Sequence, residues 1–215
     1  MNLICLIIAI FTVNVFSQDL LKDSIAQANK VDSLHQYWTS HISQFDSIQI
    51  RKNITNKSNL WFEEVERSVR FDRKAVLEKK PFHHILSVMA IRMYLRADSI
   101  QDEFAPALKV FLLKNGAIPK TLQKIQWGPT RVEGYEASKG IKTSPNVGIL
   151  FYTFEEGVWK VNFAKSLPLI MRGLETVGVK KGIPPLESAL FLMNMVVGTQ
   201  SDSRLVADES LFDPI

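Results

Sequence analysis

Arg92 and Arg96 stand four apart in PFHHILSVMAIRMYLR, residues 81–96, among Ile85, Leu86, Val88, Met89, Ala90, Ile91, Met93 and Leu95. Four residues is one helical turn, so both guanidinium groups leave the same side of a helix that is apolar almost all round. A guanidinium withdrawn from water needs a carboxylate, a polar cavity or an anionic ligand. Glu133, Glu136 and Asp102 are the candidate internal acids. A structural ion pair is the expectation, and an anion site the alternative. Tyr94, Tyr135, Tyr152 and Lys160 complete the candidate ligand-binding set, as aromatic and cationic groups able to line a cavity mouth. Aromatic residues at alternate strand positions also serve ordinary sheet packing.

Other chemistry is poorly supplied. HExxH, GxSxG, SxxK, Walker and GxGxxG patterns are all absent from the chain. His35 and His41 are six apart, on different helical faces, and His83 and His84 are adjacent and diverge by about 100°. Zinc wants three or four convergent ligands, so neither a metal nor a cofactor is expected, and no catalytic residue is assigned. The one cysteine, Cys5, falls in the apolar run Leu3 to Phe16. That run is too short to span a bilayer comfortably and reads as a signal segment over residues 1–17, cut between Ser17 and Gln18. No Lys or Arg precedes it, and a retained N-terminal anchor is the alternative. With the segment removed, thiol catalysis and disulfides are excluded. The expected location is periplasmic or secreted. The net charge of +4 is spread along the chain, which gives no footprint for nucleic acid.

The candidate groups need elements to hold them, and the most legible is NVGILFYTFEEGVWKVNF, residues 146–163. It predicts a β-hairpin. A loop of two residues, Glu156-Gly157, sets Phe151 opposite Asn162 and Thr153 opposite Lys160. A loop of three, Glu155-Glu156-Gly157, gathers Ile149, Phe151, Thr153, Trp159, Val161 and Phe163 on one face, with Gly157 left-handed. The second register is preferred because it makes one face nearly all apolar. Leu150, Tyr152, Phe154, Val158, Lys160 and Asn162 then share the other face, solvated or lining a cavity.

Upstream, Val31, Leu34, Trp38, His41, Phe45 and Ile48 follow heptad spacing along a helix from Gln18. It is expected to pack on the domain, with docking to a second chain as the alternative. Residues 18–58 are read as this extension plus a polar loop, Gln49 to Ser58. The loop holds two Asn-x-Ser/Thr sequons, at Asn53 and Asn56. Residues 59–200 form the main domain and 201–215 a tail. Asn59 is a predicted helix cap, Asp98 to Gln101 has capping-box spacing, and Pro106 opens a helix ending at Asn115-Gly116. Two strands flank a turn at Gly128-Pro129, with another turn at Lys139-Gly140. Ser166 caps the next helix, and Leu186 to Val197 is a last helix apolar on nearly every side.

Helices followed by antiparallel strands make an α+β domain, a curved sheet packed against helices. The helices PFHHILSVMAIRMYLR and FAPALKVFLLKNG, the strands to EASKGI, the hairpin FYTFEEGVWKVNF and the trailing SLPLI helix resemble bacterial exported proteins of the nuclear transport factor 2-like class. Glu155, Gly157, Trp159 and Lys160 match that class's hairpin ending, and the resemblance covers roughly residues 80–185. It implies a cystatin-like or nuclear transport factor 2-like cone whose open end holds a small molecule. Members include enzymes, binding proteins and assembly domains, so the fold leaves function open. The expectation is a non-enzymatic module binding a small apolar or anionic ligand, or a partner protein, through the cone or the N-terminal helix. A cavity enzyme doing proton-transfer or hydration chemistry is the alternative. No stable membrane span is expected after cleavage, and the apolar last helix implies either a homodimer or burial under the N-terminal extension.

Overall fold

The computed structural model describes residues 23–98, 124–180, 182–198 and 206–215. Ser17, Gln18, Asp102 and the helices expected from Asp98 and from Pro106 to Leu113 lie outside these. Within them the chain is α+β: helices cover an antiparallel sheet of four strands that is not closed.

The first helix, α1, occupies residues 23–41. Its inner line is Val31, His35, Trp38, then Ile42 and Phe45 in the turn that follows. This is heptad spacing shifted from the expected seam: His35 takes the buried slot, His41 is exposed, and Ile48 is 63% exposed. The expected loop from Gln49 is instead helix α2, Ser47–Asn53. Asp46 and Gln49 bond each other's backbone reciprocally there, and this capping box outweighs the poor hydrophobic periodicity. Helix α3 is Asn56–Phe71, capped by Thr55 rather than Asn59. Thr55 accepts from Ser58 N through its hydroxyl and donates its own N–H to Val161 O. A short helix α4, Lys74–Leu77, leads to α5, Phe82–Asp98.

The strands are β1 Trp127–Glu133, β2 Glu136–Ile141, β3 Leu150–Glu155 and β4 Val158–Val161, paired in chain order. Neither expected turn before the hairpin is a turn. Gly128-Pro129 lies inside β1, on the sheet edge where the register is irregular and a missing N–H is tolerated. Lys139-Gly140 lies inside β2. The chain reverses at Gly134-Tyr135, with Gly134 at φ 61°, because glycine at the first central position suits a tight hairpin loop.

The hairpin exists, but its register is the one with the two-residue loop. Phe154 pairs Trp159, Thr153 pairs Lys160 and Tyr152 pairs Val161. Glu156 at φ 55° and Gly157 at φ 82° make a turn left-handed at both central residues, whose twist matches the flanking strands. One residue of loop length inverts one strand. The core face is therefore Leu150, Tyr152, Trp159 and Val161. Phe151 and Lys160 lie on the reverse side.

Helix α6, Phe163–Lys180, starts on Asn162, not Ser166. The Asn162 side chain accepts from Lys165 N, and Ser166 donates to Asn162 O while accepting from Phe151 N, tying α6 to β3. Helix α7, Pro185–Gly198, packs on α5. A final 3-10 turn, Glu209–Phe212, buries Leu211 and Phe212 against α5. Buried side chains from Val31 to Phe212 form one continuous core.

Candidate functional site

The six candidate binding residues do not converge. Arg92 is wholly buried, and it donates to backbone carbonyls: Nε to Val69 O (3.1 Å), Nη1 to Leu211 O (2.9 Å), Nη2 to Ser68 O (2.7 Å) and Asp72 O (2.6 Å). Three of these close the C-terminal end of α3, whose last carbonyls have no partner inside the helix. Burial, and secondarily Arg96, draws the guanidinium down to about 10, so it stays charged near neutrality. The expected acids, Glu133 and Glu136, sit on the β1–β2 hairpin instead. Arg96 reaches the C-terminal turn through Ser210 Oγ (2.8 Å) and Asp213 O (3.0 Å). Tyr94 is half-buried against the core. Tyr135 is exposed at its hairpin tip and stacks on Phe154. Lys160 is buried beside Glu156, on the opposite side of the sheet from Tyr152.

Tyr152 belongs to a polar seam between α1 and the sheet that the sequence did not advertise. His35 Nδ1 lies 2.7 Å from Tyr152 Oη, and the His35 ring meets the edge of Trp127. One turn earlier, Asp32 accepts from Thr130 Oγ1 at 2.5 Å and pairs with Lys139. Thr130 and Lys139 are cross-strand partners, which puts both on the covered face. Burial pushes His35 down to about 4, with Lys139 adding to it, and burial keeps the Tyr152 phenol protonated. The histidine and tyrosine thus meet, while the carboxylate one turn away is taken by Thr130 and Lys139. Seen as sequence, Asp32 and His35 at i, i+3 were the available signal.

A second pair looks catalytic by geometry and is not so by access. Ser68 Oγ and His84 Nε2 are 2.8 Å apart, the spacing of a nucleophile and its base, but both are buried, at 0% and 2% exposure. Burial also draws His84 to about 4. Among the described residues no three His, Cys, Asp or Glu groups cluster for a metal. No helix there is long and apolar enough to cross a membrane.

The open site is on the reverse face of the sheet. Arg131, Glu133, Glu136, Ser138, Phe151 and Lys165, with Ala137 and Gly148, surround a cleft of about 220 Å³. Cross-strand pairing explains the layout: Arg131 faces Ser138, which faces Phe151, and Glu133 faces Glu136. The 142–149 segment forms one wall. It presses so closely on the sheet that a Cβ on Gly140 would sit 2.5 Å from Val147 O, and one on Gly148 2.9 Å from Ser138 Cβ. Arg131 Nη2 donates to Asn146 O of this wall at 2.7 Å. Its Nε is shut off from solvent and has no hydrogen-bond partner among the described residues, an omission that costs about 1–3 kcal/mol for a buried donor. Lys165, from the first turn of α6, pairs with Glu136 at 2.6 Å and lies 4.6 Å above the Phe151 ring. The loop-length choice is what turns Phe151 toward this cleft and Tyr152 away from it. No family model, curated protein or solved structure matches the chain.

Proposed function

We propose that the protein is a non-enzymatic exported module, built on a nuclear transport factor 2-like frame, that binds a small anionic ligand in the cleft on the open face of its sheet. The carrying observation is Arg131, which lines the cleft with its guanidinium anchored at Nη2 to Asn146 O. A carboxylate or phosphate oxygen in the cleft would pair with this guanidinium through a charge-assisted hydrogen bond, the stronger kind. The covered face offers less, since α1 and its seam occupy it. Titration with short-chain carboxylates and inorganic phosphate, followed by amide chemical shifts, tests this. Saturable binding should weaken at least tenfold in Arg131→Ala. Absence of saturation with every one of these anions sinks it.

Two other readings have their own tests. A cavity enzyme would draw on the hydrogen-bonded His35 and Tyr152, with Asp32 one helical turn away in the same seam. It would gain support if Asp32→Asn lowered a proton-transfer rate while leaving stability alone. A homodimer would use the outer side of α6 and α7, where Leu174 and Met195 are 43% and 55% exposed. Light scattering that returns a strict monomer removes it. Export is tested separately, by mass measurement of the secreted chain, which should begin at Gln18.

A further inference from the structure

We propose that the ligand of this cleft is a zwitterion, a molecule carrying an ammonium close to its carboxylate as an α-amino acid does. The inference rests on the anion-binding reading and adds a second charge to it. Glu133 and Glu136 are direct cross-strand partners at the closing pair of the β1–β2 hairpin. Like charges so placed repel. Lys165 neutralises Glu136 at 2.6 Å, while among the described residues no hydrogen bond or ion pair occupies Glu133. Its nearest cation in sequence on the same strand face, Arg131, is turned to Asn146 O and makes no ion pair with it. Among the described residues the cleft is therefore lined by a guanidinium and a carboxylate that do not pair with each other, two residues apart on one strand.

That spacing is about 7 Å along β1. With one hydrogen bond of about 2.9 Å at each end, an ammonium and a carboxylate a few bonds apart bridge such positions. An ammonium at Glu133 would also relieve the Glu133–Glu136 repulsion that Lys165 relieves only from the other side. The hydrocarbon part of the ligand would lie toward Phe151, the apolar ring lining the cleft. A simple anion answers Arg131 and leaves Glu133 uncompensated.

Three probes of one carbon skeleton separate the possibilities: leucine, 4-methylpentanoate, which lacks its amine, and 3-methylbutylamine, which lacks its carboxylate. Calorimetric titration of the whole protein should find leucine at least tenfold tighter than either fragment. Glu133→Gln should erase that advantage and leave 4-methylpentanoate unchanged, whereas Arg131→Ala should weaken both. If 4-methylpentanoate binds as tightly as leucine and Glu133→Gln alters neither, the zwitterion is overturned and the anion site stands. If the amine alone matches leucine, the zwitterion is likewise overturned. If neither carboxylate-bearing probe binds, the anion reading falls and takes this inference with it.

Discussion

Arg92 was singled out as a binding residue because an arginine inside an apolar helix needs a partner, and its partners turn out to be carbonyl oxygens. Sequence can rank acids as partners, but main-chain acceptors are invisible until the fold brings the end of α3 and the C-terminal turn together. The consequence is a stability role. Arg92→Ala would strand the carbonyls of Asp72 and Leu211 in the interior and take one of two hydrogen bonds from those of Ser68 and Val69, and we expect a loss of about 3–5 kcal/mol in urea unfolding. Arg96→Ala, whose contacts are exposed, should cost well under half of that. Two histidines add a pH signature. His35 and His84 are both drawn from 6.5 to about 4, chiefly by burial. Above pH 6.5 they are neutral folded and unfolded, so their contribution is fully present. Between 6.5 and 4 the unfolded chain takes up protons first, and stability falls as pH falls. Asp32, lowered below 3.8, loses its contribution only under more acid conditions. Urea midpoints should therefore drop across pH 6.5 to 4, and the double variant His35→Gln/His84→Gln should flatten that slope.

At the scale of elements, the hairpin shows how far periodicity reaches. Its existence, its position and the inward Trp159 and Val161 are legible in alternating residue types. Which residues of β3 join them depends on loop length, and an apolar count favours the wrong loop. Backbone twist decides otherwise: Glu156 accepts a left-handed φ so that a two-residue turn can match the strands. Gly157 at φ 82° has open space around its missing Cβ, so Gly157→Ala isolates the backbone cost. We expect about 1–2 kcal/mol in thermal unfolding. Local signals of another kind were legible but outranked. The Asp46 capping box and the Thr55 cap start helices within a stretch whose polarity reads as loop. Asp46→Ala should cost about 1 kcal/mol.

For the whole molecule, the tail is an integral part of the core. Leu211 and Phe212 are buried, Arg92 and Arg96 both bond the tail, and Ile215 N donates to Val69 O. Deleting residues 209–215 should lower the thermal midpoint more than Arg96→Ala does, because it removes buried apolar area together with one of the four carbonyl partners of Arg92. The same long-range logic applies to α1, whose His35 and Asp32 reach strands about a hundred residues away in sequence.

Residue order alone determined the α+β class, the long buried helix that follows Pro81, the last apolar helix and the Trp-bearing hairpin, because each is written in spacings of a few residues. Tertiary structure alone decided the carbonyl cage around Arg92, the α1–sheet seam and the cleft under Arg131. Each of those joins groups far apart in the chain, and no local periodicity encodes which distant donor will meet which acceptor.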